Sequence, residues 1–202
     1  MDSKSSSQAP SVDTEAVRQR VPGGSAGPGG ADALAFFRGL FDRELSYVFC
    51  SLRRLGVPDR DREDLANEVF FRVFQRLADF DPTRPARPWL FAFVVRVAAE
   101  HRSRAQARHE ELGGGDDVAQ HAVAAPSSDA GEARDTNALV AAALDTLDLD
   151  KRAVLVLHDL DGHSVPEISV ALGIPEGTAY SRLRAAREQF TAAARRTQRR
   201  ER

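Results

Sequence analysis

"SVPEISVALGIPEGTAYSRLRAARE", residues 164–188, reads as two short helices joined by a glycine turn. Ser164 is followed three residues later by Glu167, which is the spacing of a capping box at a helix N-terminus. Gly173 can adopt the left-handed conformation that ends a helix, and Pro175 suits the first turn of the next one. The segment therefore predicts a helix-turn-helix.

The second helix of this pair has one apolar stripe and one polar face. At about 100° per residue, the stripe consists of Ala179, Leu183, Ala186 and Phe190. The outward face carries hydrogen-bonding groups and cations, as a helix in the major groove of DNA requires. The residues that we expect to contact DNA are Thr178, Tyr180, Ser181, Arg182, Arg184, Ala185 and Arg187.

Two arginines of this face have different expected roles. Arg184 lies near its centre and can pair with a guanine, whereas Arg187 lies to one side and suits a phosphate. Further along, Arg195 to Arg202 read equally well as DNA contacts or as a solvated basic tail.

The composition limits the classes of function. The formal net charge is −2 over 202 residues, so nucleic acid would have to be bound by local clusters rather than by the whole surface. The single cysteine, Cys50, excludes an internal disulfide, and neither it nor the five histidines show metal-ligand spacing. No apolar run approaches the roughly 20 residues of a membrane span, and the N-terminus lacks the pattern of a secretory signal. We expect a cytoplasmic protein without a metal or another cofactor.

The chain divides into five segments by composition. Residues 1–31 are rich in Ser, Gly and Pro and predict a disordered tail. Residues 32–108 and 137–195 show helical periodicity, and 109–136 form an acidic, flexible linker between them. Residues 196–202 form a basic tail. Because no segment alternates like a strand, we predict an all-α protein with two small helical domains, the second ending in the helix-turn-helix.

The first module predicts three helices. They begin at Asp32, at Asp61 (ending near Leu77) and at Trp89 (ending near Arg104). The second of them, "DREDLANEVFFRVFQRL", presents Asp64, Asn67, Glu68 and Phe71 on one side, with Phe74 beside them. Phenylalanines exposed among carboxylates indicate a protein partner. The alternative places Phe71 and Phe74 under the first helix or under the proline-rich loop.

The third helix carries an aromatic residue and arginines on one face. The residues of this face are Trp89, Arg96, Glu100 and Ser103, with Arg104 next to them. Such a combination suits a single DNA strand, whose bases stack and whose phosphates need cations. The alternative for Trp89 is a place in the hydrophobic core.

Three segments together resemble the extracytoplasmic-function (ECF) sigma factors, which are small specificity subunits of bacterial RNA polymerase. "DREDLANEVFFRVFQRLADFDP" resembles their polymerase-binding helix, "RPWLFAFVVRVAAEHRSR" their helix for the melted minus-ten element, and "SVPEISVALGIPEGTAYSRLRAARE" their reader of the minus-thirty-five element. They occur in the family's order within residues 32–195.

The resemblance implies partners and roles. Core RNA polymerase, promoter DNA and an anti-sigma factor are the implied partners, with no small-molecule substrate. Asp64, Asn67 and Glu68 would meet the coiled coil of the largest polymerase subunit. Tyr180, Ser181, Arg184 and Ala185 would face bases, and the acidic linker would thread a basic channel of the polymerase.

Two other readings compete with this one. An enzyme would need a nucleophile and a base in contact, and the neighbouring Asp161, His163 and Ser164 do not form a triad within one turn. A helix-turn-helix regulator that never joins polymerase explains residues 164–188 but leaves the Asp64–Glu68 face without a role. Co-purification with core polymerase separates these two.

Overall fold

The computed structural model of the chain describes residues 30–111 and 131–200, and these parts are helical without any strand. The seven α-helices are α1 (Gly30–Arg54), α2 (Asp59–Gln75), α3 (Ala86–Glu111), α4 (Gly131–Asp145), α5 (Leu149–Leu155), α6 (Val165–Leu172) and α7 (Glu176–Arg200). A 3-10 turn, Leu77–Asp79, follows α2, and a π-helical turn, Val156–Leu160, follows α5. The prediction of an all-α fold is confirmed.

Helices α1, α2 and α3 form the first module around an aromatic core. Phe37 of α1 lies against Phe70 and Phe74 of α2, with ring centroids 6.4 and 5.0 Å apart. Periodicity predicts that α2 buries Leu65, Val69, Val73 and Leu77, and that α3 buries Leu90, Phe93, Val94 and Val97. All of these are buried except Leu77, which is half-buried in the 3-10 turn after α2. Amphipathic periodicity therefore located this core correctly.

The helix ends differ from the predicted ones by a few residues. Helix α1 begins at Gly30 rather than Asp32, and α2 runs from Asp59 to Gln75 rather than from Asp61 to Leu77. Helix α3 begins at Ala86, which places Pro88 within the first turn, where a missing N–H leaves no hydrogen bond unmade. Flanking residues that tolerate helical dihedrals extend each helix at its N-terminus, whereas α2 ends two residues early, where the chain passes into the 3-10 turn.

The predicted tails and linker are only partly within the described residues. The described ends of the predicted linker are helical, because α3 continues to Glu111 and α4 begins at Gly131. The last turns of α3 are built from strong helix formers and include a Gln106–Glu110 hydrogen bond of 3.2 Å. Helix α7 likewise continues to Arg200, into the predicted basic tail. The predicted disordered tail, 1–31, lies almost entirely outside the described residues.

Helices α4–α7 form the second module and contain the predicted helix-turn-helix. The backbone N–H of Ser164 donates to the Glu167 carboxylate at 2.8 Å, and the capping box is complete. Gly173 has a φ of 66°, in the left-handed region. The stripe of Ala179, Leu183 and Ala186 is buried, and Phe190 packs against the core. Small residues at this contact let α6 and α7 approach closely.

The sequence "LDKRAVLVLHDL", residues 149–160, predicts a single helix closed by Gly162, but a π-helical turn interrupts it. The N–H of Asp161 donates to the carbonyl of Val156 at 3.0 Å, five residues back. The wider turn shifts every following side chain around the helix axis. Asp161 thereby points at α1 of the first module.

The two modules share one hydrophobic core, which the sequence did not predict. Helix α6 of the second module packs against α3 of the first. A partly buried ion pair accompanies this contact: Asp161, whose side chain is 7% exposed, accepts hydrogen bonds from Tyr47 and from Arg54, each at 2.8 Å. Burial, followed by the charge of Asp161, raises the pKa of Tyr47, so its hydroxyl stays a donor.

A second joint lies where α1 ends. Gly56 has a φ of 83° and sits against Arg152, which is 2% exposed and forms an ion pair with Asp145 at 3.0 Å. A Cβ at Gly56 would lie 2.6 Å from Nη1 of Arg152. Arg102 of α3 closes the joint by donating to the carbonyl of Leu55 at 3.2 Å.

We predict that Gly56→Ala lowers stability more than Gly173→Ala. Both glycines have left-handed dihedrals, which cost an alanine about 1–2 kcal/mol. Only Gly56 is also crowded, and relieving that contact displaces the buried Arg152, adding about 1–3 kcal/mol as for other overpacked sites. Thermal or urea unfolding of both variants measures the difference. Equal losses would show that Arg152 can move freely.

Candidate functional surfaces

The first candidate surface, the α2 face, consists of Asp64, Asn67, Glu68 and Phe71. Asp64 and Phe71 are exposed, Phe71 by 39%, and the other two are half-buried. Phe74, the second phenylalanine that the sequence raised for this surface, lies under α1 against Phe37. The two phenylalanines thus separate: Phe74 belongs to the core, and Phe71 remains on the surface among carboxylates.

The second candidate surface, the α3 face, consists of Trp89, Arg96, Glu100, Ser103 and Arg104. Trp89 is half-buried between Phe80 and Phe93, with ring centroids 4.9 and 5.0 Å away, so much of its indole belongs to the core. The guanidinium of Arg96 is exposed and lies 5.3 Å from the centroid of the Phe93 ring. The face therefore has packed aromatic rings with exposed cations beside them.

Arg72 of α2 connects these first two surfaces. Its Nη1 and Nη2 donate to both oxygens of Glu100, each at 2.6 Å, and its Nε donates to Glu68 at 2.7 Å. The hydrogen bonds from Arg72 lower the pKa of Glu100. The i,i+4 pair of Glu68 and Arg72 is visible in the sequence, but the contact with Glu100 is not, because it joins two helices.

The third candidate surface, the α7 face, consists of Thr178, Tyr180, Ser181, Arg182, Arg184, Ala185 and Arg187. Tyr180 is 57% exposed, and the side chain of Arg184 is 83% exposed with only a 3.0 Å bond to Glu188 on its own helix. Ser181 is exposed, whereas Thr178 and Ala185 are half-buried at the edge. Arg184 and Tyr180 project furthest into solvent.

The other two arginines of the α7 face are engaged within the module. Arg182 pairs with Asp150 at the start of α5, at 2.6 Å. Nε of Arg187 donates to Asp159 at 2.9 Å, and its other contact to the same carboxylate makes the pair bidentate. The hydrogen bond from Arg187 lowers the pKa of Asp159. These pairs hold α7 against α5 and the π-helical turn, and the sequence did not indicate them.

The described residues do not assemble a catalytic or metal site from the side chains that the sequence raised. Asp161 accepts from Tyr47 and Arg54, Ser164 Oγ donates to Glu167 at 2.7 Å, and the buried Nε2 of His163 has no hydrogen-bond partner in the described part of the chain. Within residues 30–111 and 131–200, no three His, Cys, Asp or Glu side chains are grouped as metal ligands require. In the same ranges, no helix is long and apolar enough to cross a membrane.

A capped helix-turn-helix with an exposed polar face is the architecture of a DNA-binding protein. Two family models match the chain: sigma-70 region 2 over residues 40–108, and sigma-70 region 4 over residues 138–190. The first range covers the α2 and α3 faces, and the second contains the helix-turn-helix.

Curated relatives and solved structures agree with these matches. The chain is 31% identical to the RNA polymerase sigma factor NccH of Alcaligenes xylosoxydans xylosoxydans, over 91% of this chain and 95% of that protein. It is 32% identical to the ECF sigma factor SigL of Mycobacterium tuberculosis, over 81% and 89%. The structure of CnrH in complex with the cytosolic domain of CnrY matches with 28% identity and a TM-score of 0.55, over 80% of this chain and 92% of that one.

The chain belongs to the ECF family of RNA polymerase sigma factors. It is a transcription initiation factor that binds core RNA polymerase and directs initiation at specific promoters. The family and the fold are those that the resemblance implied.

Proposed function

We propose that this sigma factor acts in the cytoplasm, without catalysis of its own, by dividing its tasks among the three surfaces. The first domain, residues 32–108, holds core polymerase through the α2 face and the minus-ten element through the α3 face. Residues 109–136 link it to the second domain, residues 137–195, which reads the minus-thirty-five element through the α7 face. The basic segment 196–202 lies beyond that domain.

The observation that carries the proposal is the exposure of the α7 face on a braced recognition helix. Arg182 and Arg187 fix the helix to its own module, while Arg184 and Tyr180 project from it. A helix that is already fixed in place loses little freedom on binding, which favours base readout by the side chains that project from it. The alternative, a regulator acting without polymerase, leaves Phe71 and its neighbouring carboxylates unexplained.

An anti-sigma factor is a further partner that we propose. CnrH, a relative of this chain, was solved in complex with the cytosolic domain of CnrY. A partner of this kind that contacts both modules would hold them in the packed arrangement seen here.

The packed arrangement cannot contact both promoter elements at once. Their names place them about 25 base pairs apart, which is about 85 Å of B-form DNA at about 3.4 Å per pair. Helix α3 packs on α6, which packs on α7, and two successive helix contacts of about 8–10 Å each separate α3 from α7 by roughly 20 Å. Promoter binding therefore requires the modules to separate.

We predict that reversing two charges on the α2 face, Asp64→Lys with Glu68→Lys, abolishes co-elution with core RNA polymerase. The two lysines would repel any cation of the partner that pairs with these carboxylates. The buried stripe of α2 is not changed by either substitution. Size-exclusion chromatography measures complex formation, and circular dichroism confirms helical content. Arg76→Glu, at the exposed end of the same helix, is the matched control. Unchanged co-elution of the double variant would place the polymerase contact elsewhere.

We predict that Arg184→Ala relaxes base preference at one position of the minus-thirty-five element. A bidentate arginine–guanine pair contributes about 1–3 kcal/mol of discrimination. Selection of holoenzyme-bound sequences from a randomised library measures the preference. Arg187→Ala is the matched variant: it should weaken all sequences alike, because it loosens the helix or removes a phosphate contact. An unchanged preference for Arg184→Ala would mean that this arginine reads no base.

We predict that Asp161→Ala favours the separated arrangement and tightens binding to core polymerase several-fold, because the packed state loses one anchor and competes less with binding. Fluorophores on Gln75→Cys and Thr191→Cys in a Cys50→Ser background report the distance between modules. Energy transfer should fall in the free variant and in the wild-type holoenzyme. Asp150→Ala, which breaks a pair within one module, is the control. High transfer in the holoenzyme would contradict separation.

A further inference from the structure

The α3 face contains an acidic residue where an anion must bind. Glu100 lies between the exposed cations Arg96 and Arg104 on the surface to which we assign the minus-ten strand. An unpaired carboxylate there would repel DNA phosphates, and it would do so most strongly at low salt. Some other group has to neutralise it if the face is to bind DNA.

Arg72 is placed to neutralise Glu100. Both carboxylate oxygens of Glu100 accept from Arg72, each at 2.6 Å. Arg104 comes no nearer to this carboxylate than 3.8 Å, and its Nε donates to the backbone carbonyl of Glu100 at 3.3 Å. This planar, bidentate geometry is the strongest that an arginine and a carboxylate form. Arg72 occupies one acceptor site on each oxygen, which leaves Glu100 fewer acceptor sites and less negative charge with which to attract a cytosine amino group.

Arg72 also reaches the α2 face, where its third nitrogen binds Glu68. One guanidinium therefore holds a residue of the proposed polymerase surface and a residue of the proposed DNA surface in a common register. A lysine could not replace it, because an ammonium group lacks the planar fork that spans both carboxylates.

We propose that Arg72 is a positioning residue for minus-ten engagement, which neutralises Glu100 and aligns the α3 face with the polymerase-binding helix. The inference rests on the proposed function of the α3 face. Arg72 itself does not contact DNA, and Glu100 acts through its pairing with Arg72 rather than by reading a base.

The test is open-complex formation by reconstituted holoenzyme on a promoter recovered from a randomised library with the wild-type chain. Arg72→Ala should reduce open complexes about tenfold, which corresponds to the loss of roughly 1.4 kcal/mol, and the defect should shrink as salt is raised. Adding Glu100→Gln to Arg72→Ala should restore formation to within about threefold, because the unpaired charge is then gone. Arg72→Lys should give an intermediate defect.

Two comparisons separate this inference from the proposed function. Arg76→Ala, which breaks an exposed pair with Asp79 one turn further on, should leave open complexes unchanged. Co-elution of Arg72→Ala with core polymerase should be retained, since Glu68 remains present. If the wild-type chain fails to form a holoenzyme or to open the promoter, the proposed function fails.

If the wild type succeeds and Arg72→Ala opens the promoter normally, the role of Arg72 is overturned. If Arg72→Ala is impaired but Glu100→Gln does not rescue it, neutralisation is overturned. Thermal unfolding monitors folding of each variant, and Arg72→Lys in combination with Glu100→Gln repeats the rescue test if Arg72→Ala is unstable.

Discussion

The carboxylate of Asp161 is the constraint around which the two modules are joined. A charge with so little exposure costs several kcal/mol unless its oxygens are bonded. Both bonds come from α1 of the other module, through Tyr47 and Arg54. The π-helical turn aims Asp161 at these partners, and the α3–α6 contact closes over the apolar surface beside them. The contact between the modules is thus apolar, with one ion pair that fixes its alignment. In the proposed function, a competing partner separates the two modules.

The arginines of the chain divide into cations that hold the fold and cations that face solvent. The sequence has 28 lysines and arginines and 30 aspartates and glutamates, so most cations can find a carboxylate. Arg152 is buried at the module joint, and Arg182 and Arg187 brace α7. Arg96 and Arg184 stay exposed on the surfaces assigned to DNA. A near-neutral protein can therefore present local positive surfaces, since carboxylates within the fold neutralise cations such as Arg152, Arg182 and Arg187.

Local features of the fold were readable before the structure was known. The capping box of Ser164 and Glu167, the left-handed turn at Gly173 and the buried stripe of α7 all follow from residues within a few positions of one another. The helix ends were less accurate, as for α3, because propensity changes gradually where α3 passes from its buried stripe to its exposed last turns. The prediction of a single helix before Gly162 was wrong in its last turn. There a π-helical turn replaces the α-helical one, and the N–H of Asp161 donates to the carbonyl of Val156.

The sequence by itself determined the helical class, the order of the three motifs and the family. It also indicated most of the outward faces of α2, α3 and α7, but it left open whether Phe71, Phe74 and Trp89 pack inside. Only the tertiary structure decided how those faces are supported and how the modules meet. Tyr47 and Asp161 are 114 positions apart, and Arg72 and Glu100 are 28 apart. Periodicity and capping act within a helix turn, so they specify the face of a side chain. The partner of a charged group depends on which helices pack together, and many arginines and carboxylates of this chain are equivalent until that packing selects among them.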